Sequence, residues 1–313
     1  MLRKTSGPRF DSSTVTDFGA RPYQQDALVA NFSAGEDIGI GVLADGMGGH
    51  FGGDVASALV VGQAFAEIRA GVAAIAPSQE QIARVLRASA NVANDAVRRR
   101  IEAEPDLRGM GATLLACLTL GPDLHWVSVG DSPLYLYRDK TLCQLNDDHS
   151  MKPRIRAMVA SGMIDAELAA THPDRNQLLS AICGRPFEHI DCRAAPYPLK
   201  TGDVVIAASD GIQTLPDGEI CKTVNRYRRS NSDEIAKALM AAVKKVGAPD
   251  QDNTAIMVIK VLSTEPMARA EPRPDAAMPA DLPSEAQPDG ALAAEDGASL
   301  ERAPDDLEKA FAL

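Results

Sequence analysis

The chain has 313 residues, of which 45% are hydrophobic, enough to bury one large core or two small ones. Its formal net charge of −11 is uneven, because residues 265–313 carry 12 acidic and 4 basic side chains. The basic runs at 98–100 and 226–229 are short and separated, unlike the continuous basic surface of a nucleic-acid-binding protein. We therefore expect no nucleic-acid partner.

The cysteines and the N-terminus indicate the cellular compartment. Five cysteines are scattered without C-x-x-C spacing, which disfavours a disulfide framework and a zinc site and favours a reducing environment. No apolar segment follows the charged start "MLRKTSGPRF", as it would in a secretory signal. No window approaches the roughly 18 uninterrupted apolar residues of a membrane helix. We expect a cytoplasmic protein without a membrane partner.

Strand and helix patterns follow one another in a mixed order along the chain. Apolar runs bounded by turn residues predict strands at 24–32, 37–45, 203–210 and 253–262, and hairpins at 112–131 and 133–145. Helical periodicity predicts helices at 54–70, 78–103 and 232–247, and two short helical patterns within 151–188. Hairpins followed by paired helices argue against alternating βαβ units. The pattern therefore predicts an α+β protein with antiparallel sheets and helices packed outside them.

The composition changes abruptly after residue 263. Residues 264–313 are rich in Ala, Pro, Glu and Asp and contain one aromatic side chain, Phe311. Such a segment cannot bury enough apolar surface to offset the entropy lost on ordering it. We predict one folded domain over residues 1–263 and a disordered acidic, Ala/Pro-rich tail over 264–313.

The segment "DIGIGVLADGMGGHFGGDVAS" at 37–57 combines a strand pattern with a cluster of glycines. The apolar run ends at Asp45, and five glycines follow by residue 53. A phosphate-binding P-loop is excluded because no Lys-Ser or Lys-Thr pair ends the segment. A dinucleotide fingerprint is disfavoured because its glycines, Gly39 and Gly41, lie inside the presumed strand. A simple Asp-Gly turn remains one explanation.

Aspartates mark the ends of four predicted strands. Asp45, Asp131 and Asp210 follow apolar runs, and Asp252 precedes one. Carboxylates that converge at one edge of a sandwich repel each other unless a cation neutralises them. An all-oxygen ligand set favours hard cations such as Mg²⁺ or Mn²⁺. The pattern alone leaves a metal site and four structural turns equally open.

Seven motifs occur in an order that resembles a known family. They are "RPYQQDA", "VLADGMGGHFGGDVAS", "GMGATL", "VSVGDS", "DDHS", "AASDGI" and "QDNTAIMV". Across about residues 14–260 these motifs resemble the bacterial form of the metal-dependent Ser/Thr protein phosphatases, the type-2C family. The resemblance implies a four-layer αββα sandwich, in which two antiparallel β-sheets are flanked by helices, and it makes residues 1–263 the catalytic domain.

The resemblance also implies a ligand set for two Mn²⁺ or Mg²⁺ ions. Asp45 would bridge both ions, and the backbone carbonyl of Gly46 would bind one of them. Asp210 and Asp252 would hold the other ion. Asp131, together with Asp210, matches the position that bacterial members use for a third, weaker ion.

Three residues receive catalytic roles from the same resemblance. Arg21 matches the arginine that binds the phosphoryl group, Asp26 would orient the attacking water, and Asp131 would act through the accessory ion. The segment 151–188, which includes "SGMIDAELAATHPDRNQLLSAICG", resembles the mobile flap of the family.

The reaction that the resemblance implies is a demanding one. Phosphate monoesters hydrolyse so slowly without a catalyst that enzymes supply rate factors of up to about 10²¹.

A few positions depart from the family pattern. Gln24 replaces the usual Asn, Gln25 stands where many relatives have Glu, and Pro133 replaces the Arg of V-G-D-S-R. Pro133 leaves the geometry of the loop near Asp131 open. None of these changes removes a direct metal ligand. His50 and His149 are expected to be structural.

The resemblance implies metal-dependent hydrolysis of phosphoserine and phosphothreonine in proteins. The expected partners are phosphorylated proteins and a cognate Ser/Thr kinase, and we expect a monomer. The alternative is a catalytically weak phosphatase fold that serves as a binding or regulatory module. Retention of Asp45, Asp210 and Asp252 favours the enzyme, since a binding module has no physical reason to keep carboxylates that repel each other.

Overall fold

Two antiparallel β-sheets pack face to face in the computed structural model, which describes residues 9–33, 37–74 and 78–265. Sheet A has the strand order β1-β11-β10-β7-β8, and sheet B the order β2-β3-β5-β6-β9, with β4 paired to β3. The strands are β1 (Phe10–Asp17), β2 (Asp26–Asn31), β3 (Ile38–Met47), β4 (Gly111–Ala112), β5 (Leu114–Leu120), β6 (Asp123–Val129), β7 (Leu134–Arg138), β8 (Thr141–Gln144), β9 (Tyr197–Pro198), β10 (Val204–Ala208) and β11 (Thr254–Val261).

Helices cover the outer face of each sheet. They are α1 (Gly49–Ala74), α2 (Gln79–Ala103), α3 (Lys152–Ala160), α4 (Ala166–Ala170), α5 (Asp217–Tyr227) and α6 (Ser232–Val246). The first two helices share a hydrophobic core with sheet B, and the last two share one with sheet A. The prediction of an α+β sandwich of two antiparallel sheets flanked by helices is confirmed.

The central strands are buried on both faces, which explains their continuous apolar sequences. In β10, Val204 and Ile206 face the α5–α6 layer, whereas Val205 and Ala207 face the core between the sheets. In β5, residues 114, 116 and 118 face α1 and α2, whereas residues 115 and 117 face the other sheet. Because alternate side chains of a strand point to opposite faces, the strands separate three hydrophobic cores: one between each sheet and its helices, and one between the two sheets. The core between the sheets holds them together.

The predicted helix at 78–103 and hairpin at 133–145 are confirmed, and local contacts explain them. Ser78 and Gln81 form a capping box at the start of α2. Asp139 and Lys140 both have positive φ values, 52° and 64°, as a two-residue hairpin turn between β7 and β8 requires. All five cysteines are free thiols.

The structure differs from the predicted elements near the glycine cluster. Strand β3 continues past Asp45 to Met47, because residues 46 and 47 pair with β4. Helix α1 begins at Gly49 rather than at residue 54. A Cβ atom on Gly53 would lie 2.6 Å from the Gln25 side chain, and one on Gly52 would lie 2.8 Å from Met110. These glycines therefore serve close packing within a helix rather than a turn.

Several elements were not predicted from the sequence, and β1 and α5 are the longest of them. Strand β1, with the sequence "FDSSTVTD", lies at the edge of sheet A and is mostly half-buried, so its sequence lacks a long apolar run. Helix α5 buries only Ile220 and Val224. The described residues fall within one compact unit, Met1–Ala268. The predicted tail over 264–313 lies outside the described residues, apart from its first two.

Within the described residues, one helical stretch, Gly52–Ala73, is long and apolar enough to cross a membrane by length and composition. A single such helix is weak evidence, since a core helix passes the same test. Here Val60, Ala64 and Ile68 are buried in the core beneath sheet B.

Truncation of a side chain between the sheets should destabilise the fold. Leu136 on β7 is 1% exposed in that core, so Leu136→Ala should lower the free energy of unfolding by about 2–5 kcal/mol. Leu168→Ala on α4 is the matched control, because Leu168 is 53% exposed, and its effect should stay within about 0.5 kcal/mol. Guanidinium unfolding at a fixed Mn²⁺ concentration measures both. Equal effects would contradict the assignment of this core.

Candidate active site

A cleft of about 1030 Å³ opens where β3, β6 and β10 end and β11 begins. Its lining includes Arg21, Asp45, Asp131, Asp210 and Asp252. The four aspartates predicted from strand ends therefore meet in one place. The strands that carry these aspartates belong to both sheets, and their ends meet at one edge of the sandwich.

Asp45 is anchored at the back of the cleft by its neighbours in sheet B. Its N–H donates to the Thr113 hydroxyl (2.9 Å), and its carbonyl accepts from the Thr113 N–H (2.8 Å). The Thr113 hydroxyl also shares a hydrogen bond with the hydroxyl of Ser132 (2.7 Å), the residue after Asp131. In the β2–β3 register Asp45 lies opposite Asp26. Two sheet positions and one loop position are thus fixed relative to each other.

Ser209 links Asp26 to the loop that carries Asp210. Its hydroxyl donates to Asp26 Oδ2 (2.6 Å) and accepts from the Ala255 N–H (2.8 Å). Asp210 itself begins a 3₁₀-helix, Asp210–Thr214, directly after β10. The second oxygen of Asp26, Oδ1, is buried without a hydrogen-bond partner among the described residues.

Asn253 holds the Arg21 loop against Asp252. Its amide oxygen accepts from the Gln25 N–H (2.7 Å), and its amide nitrogen donates to the carbonyls of Phe18 and Tyr23 (2.9 Å each). The guanidinium of Arg21 contacts Asp252 Oδ2 at 2.7 Å. A loop far away in sequence is therefore fixed at the mouth of the cleft.

Gly46 presents bare backbone to the cleft. A Cβ atom there would lie 2.1 Å from the Gly53 carbonyl oxygen and 2.4 Å from the Gln25 carbonyl oxygen. Only glycine fits this position, because no side-chain atom can be accommodated so close to two backbone segments. Gly46 lines the cleft beside Asp45.

The carboxylates in the cleft resist ionisation. Burial raises the pKa of Asp26 to about 7, and repulsion from Asp210 and Asp252 adds to the effect although the Ser209 hydrogen bond opposes it. Burial and the charge of Asp131 raise the pKa of Asp210 to about 6. Burial, followed by repulsion from Asp26 and Asp210, raises the pKa of Asp45 well above its usual range. A proton or a cation is needed to stabilise this cluster.

Lys152, at the start of α3, is a site residue that sequence reasoning missed. Its ammonium lies 2.8 Å from Asp131 Oδ2 and 3.8 Å from Asp210 Oδ2. Burial lowers the pKa of Lys152, but the charges of Asp131 and Asp210 outweigh burial, and the net shift is upward. The ammonium is therefore charged at neutral pH. A lone Lys in a polar segment gives no sequence signal for this position.

The donor chemistry of the cleft fits hard divalent cations. Its donors are carboxylate and backbone oxygens, which Mg²⁺ and Mn²⁺ prefer. The buried Oδ1 of Asp26 and the bare backbone at Gly46 belong to the same cluster. In the structure itself, however, the described residues contain no group of three or more His, Cys, Asp or Glu side chains that is already arranged to hold a metal ion. Asp131 and Asp252 are instead paired with Lys152 and Arg21.

The loop around Asp131 is held despite Pro133. The Asn146 side chain accepts from the Leu134 N–H (2.7 Å) and donates to the Ser132 carbonyl (3.0 Å). The Pro133 carbonyl accepts from the Ala208 N–H (3.1 Å), which connects the loop to β10. Asp131 is buried in this frame. Asn146 was not identified from the sequence, since its role depends on contacts with a neighbouring strand.

His149 is buried, and its Nδ1 accepts a hydrogen bond from the Gly130 N–H (3.3 Å). Burial and the nearby His189 lower its pKa. These contacts agree with the expected structural role. The side chain of His50 lies outside the described residues.

Known proteins are similar to this chain in sequence and in architecture. The chain is 30% identical over 248 residues to a serine/threonine phosphatase, stp, of Listeria welshimeri, and the match covers 78% of this chain and 93% of that protein. It is 34% identical over 221 residues to the serine/threonine protein phosphatase PstP of Mycobacterium tuberculosis, covering 70% of this chain and 40% of that longer protein. The structure resembles that of the PstP catalytic domain in complex with two manganese ions, with a TM-score of 0.65, 29% identity and coverage of 81% and 99%.

The family assignment rests on a match across most of the chain. Residues 22–256 fit the family model described as protein phosphatase 2C. That range contains Asp45, Asp131, Asp210 and Asp252, the four aspartates that line the cleft. The fold, the site and the sequence thus agree, and the chain belongs to the protein phosphatase 2C family.

Proposed function

We propose that this chain is a Mn²⁺- or Mg²⁺-dependent protein phosphatase that hydrolyses phosphoserine and phosphothreonine in proteins. The observation that carries the proposal is the convergence of four strand-end aspartates in one cleft beside an exposed arginine. Relatives named serine/threonine phosphatases support the reaction class.

Residues in the cleft divide into those that would hold ions and those that would not. Asp45 and the Gly46 carbonyl, with Asp210 and Asp252, are the proposed ligands of two ions. When bound, such ions lower the pKa of water so that hydroxide is available at neutral pH, and their charge stabilises the phosphoryl oxygens. The two hydrogen bonds with Thr113 hold the backbone of Asp45 in place, so little backbone movement is needed when ions bind.

Arg21 is proposed to bind the phosphoryl group. It lies at the mouth of the cleft with more than half of its side chain exposed. A planar guanidinium can donate two parallel hydrogen bonds to two phosphate oxygens. The loop around it is fixed by Asn253, so the guanidinium starts from a defined position. Arg21 must turn from Asp252 towards substrate.

Asp26 is proposed to orient the attacking water and to take up its proton. Its Oδ2 is held by Ser209, which leaves Oδ1 to act as the acceptor. Burial and the neighbouring aspartates raise the pKa of this carboxyl when no cation is present, and cations bound beside it would lower the pKa again, so that Asp26 would act as a carboxylate acceptor. Asp131 is proposed to act more indirectly, through the Lys152 ammonium that it shares with Asp210.

A binding module with weak activity is the competing function. Several carboxylates of the cleft have raised pKa values, so the cluster lowers the stability of the fold near neutral pH without cations. A module that only binds phosphoproteins has no use for such a cost. We also infer a monomeric, cytoplasmic enzyme that opposes a partner Ser/Thr kinase, with a catalytic domain over 1–263 and a separate tail over 264–313.

Activity should depend on divalent metal and on the proposed ligands. Asp210→Asn should lower kcat for phosphopeptide hydrolysis about 100-fold or more, since loss of about 3 kcal/mol of transition-state stabilisation has that effect. Asp250→Asn is the matched control, because Asp250 is exposed two residues before Asp252 and does not line the cleft. Phosphate release is measured with Mn²⁺, with Mg²⁺ and with chelator. Full activity in chelator would exclude the proposal.

Asp45→Asn should stabilise the protein in chelator by about 0.5–2 kcal/mol, the size of a typical stabilising substitution, because it removes a buried carboxylate from the cluster. The raised pKa values of Asp26 and Asp210, about 7 and about 6 against a usual 3.8, mean that the folded state holds protons more tightly than the unfolded state. Wild-type stability should therefore fall as pH rises from about 4 to about 7. Asp45→Asn should reduce this fall.

Thermal unfolding in chelator between pH 5 and pH 8 measures both effects. Asp250→Asn, which alters an exposed carboxylate, should retain the wild-type pH dependence. Addition of Mn²⁺ at pH 8 should stabilise the wild type more than Asp45→Asn. An Asp45→Asn protein that is less stable than the wild type in chelator would show that repulsion does not dominate the cluster.

Arg21→Ala should lower kcat/KM for phosphopeptides about 100-fold, which corresponds to about 2.7 kcal/mol, without weakening Mn²⁺ binding. The reason is that Arg21 contacts Asp252, and its removal frees a proposed ligand. Arg21→Lys should recover only part of the loss, because an ammonium cannot donate two parallel hydrogen bonds. Arg84→Ala, on the exposed side of α2, should have no effect. Weaker Mn²⁺ binding by Arg21→Ala would contradict the assignment.

A further inference from the structure

Lys152 places a positive charge between two carboxylates of the cleft. Its ammonium contacts Asp131 Oδ2 at 2.8 Å and lies 3.8 Å from Asp210 Oδ2. A further N–H donates to the side-chain oxygen of Gln213 (2.8 Å). The Lys152 side chain is 10% exposed, and that of Asp131 is 5% exposed. A lysine is rarely so buried unless it is paired.

The chain fixes the backbone from which Lys152 reaches into the cleft. The Lys152 N–H donates to the Ser150 hydroxyl (3.2 Å), and that hydroxyl donates to Asp148 (2.6 Å). The His149 N–H donates to the Gly130 carbonyl (3.0 Å), next to Asp131. These hydrogen bonds join the start of α3 to the loop that carries Asp131, independently of the ion pair made by the Lys152 ammonium. The side chain is built into the site.

An ammonium and a divalent ion compete for the same pair of carboxylates. The family resemblance implies a third, weaker ion between Asp131 and Asp210. Divalent ions bind carboxylate oxygens at about 2.0–2.6 Å, and the Lys152 ammonium already lies 2.8 Å from Asp131 Oδ2 and 3.8 Å from Asp210 Oδ2. The two cations exclude each other by space and by charge. The residues present thus do not fit a third ion while Lys152 stays in place.

We propose that the Lys152 ammonium takes the place of the third ion, so that this chain holds two divalent ions rather than three. The inference rests on the proposed two-ion centre. A tethered cation has a high effective concentration at its site, so this position is filled at any metal concentration. Lys152 is also the first residue of α3, and its ion pair therefore joins segment 151–188 to the metal site.

Counting bound ions tests the proposal directly. Equilibrium dialysis at saturating Mn²⁺, followed by elemental analysis, should give about two ions per wild-type chain. Lys152→Met keeps most of the stem but removes the charge, and it should bind about three ions. Lys152→Gln should do the same, and it provides a second variant if Lys152→Met fails to fold. The double variant Lys152→Met with Asp131→Asn should return to about two, because the new site loses a ligand.

Arg156→Met is the matched control. Arg156 lies on the same helix but pairs with Asp148 at 3.3 Å and is largely exposed, so its loss should leave the count at about two. A wild-type count of about three, or neutral variants that stay at about two, would overturn the proposal. A wild type that binds no ions would overturn the proposed two-ion centre as well, which distinguishes the two failures. A merely structural lysine would not change the count.

Discussion

The burial of several mutually repelling carboxylates in one cleft is the constraint on which the rest of this structure depends. Burial, followed by the charges of Asp26, Asp210, Asp131 and Asp252, raises the pKa of Asp45. A cluster of this kind opposes folding near neutral pH unless cations or protons neutralise it. The rest of the fold must therefore hold the carboxylates close together, because the carboxylates themselves do not stabilise the folded state. The energy stored in this way is available to bind divalent ions.

The sandwich provides the rigidity that the cluster requires. Strands with both faces buried form three stacked hydrophobic cores, and close-packed cores resist small displacements. At the cleft, buried polar residues then fix individual loops. Ser132, Ser209 and Asn253 each directly follow or precede a site aspartate in sequence, and each is almost fully buried. Their hydrogen bonds connect β2, β11 and the residues that adjoin β5 and β10 at the point where the charges converge.

The sequence predicted the parts of the site that depend on local pattern. Apolar runs that end in Asp45 and Asp210 identify strand ends, and the motifs around them identify the family. The glycine at 46 also follows from the motif, and the structure supplies the reason in the contacts that a Cβ would make. By contrast, the start of α1 within a glycine run could not be predicted, because packing against Met110 and Gln25 overrides the low helix propensity of glycine.

Residues that act through distant contacts could not be predicted from the sequence. Asn253 contacts a loop about 230 positions away, and Ser209 contacts Asp26 across 183 positions. Lys152 joins Asp131 and Asp210, which are themselves on different loops. Single polar residues carry no periodicity, so only the folded chain shows what they bind.

The most direct test of the account is crystallography of the Mn²⁺-loaded wild type with anomalous diffraction at the manganese edge. The account predicts two anomalous peaks among Asp45, Gly46, Asp210 and Asp252, whereas peaks elsewhere, or none, would contradict it.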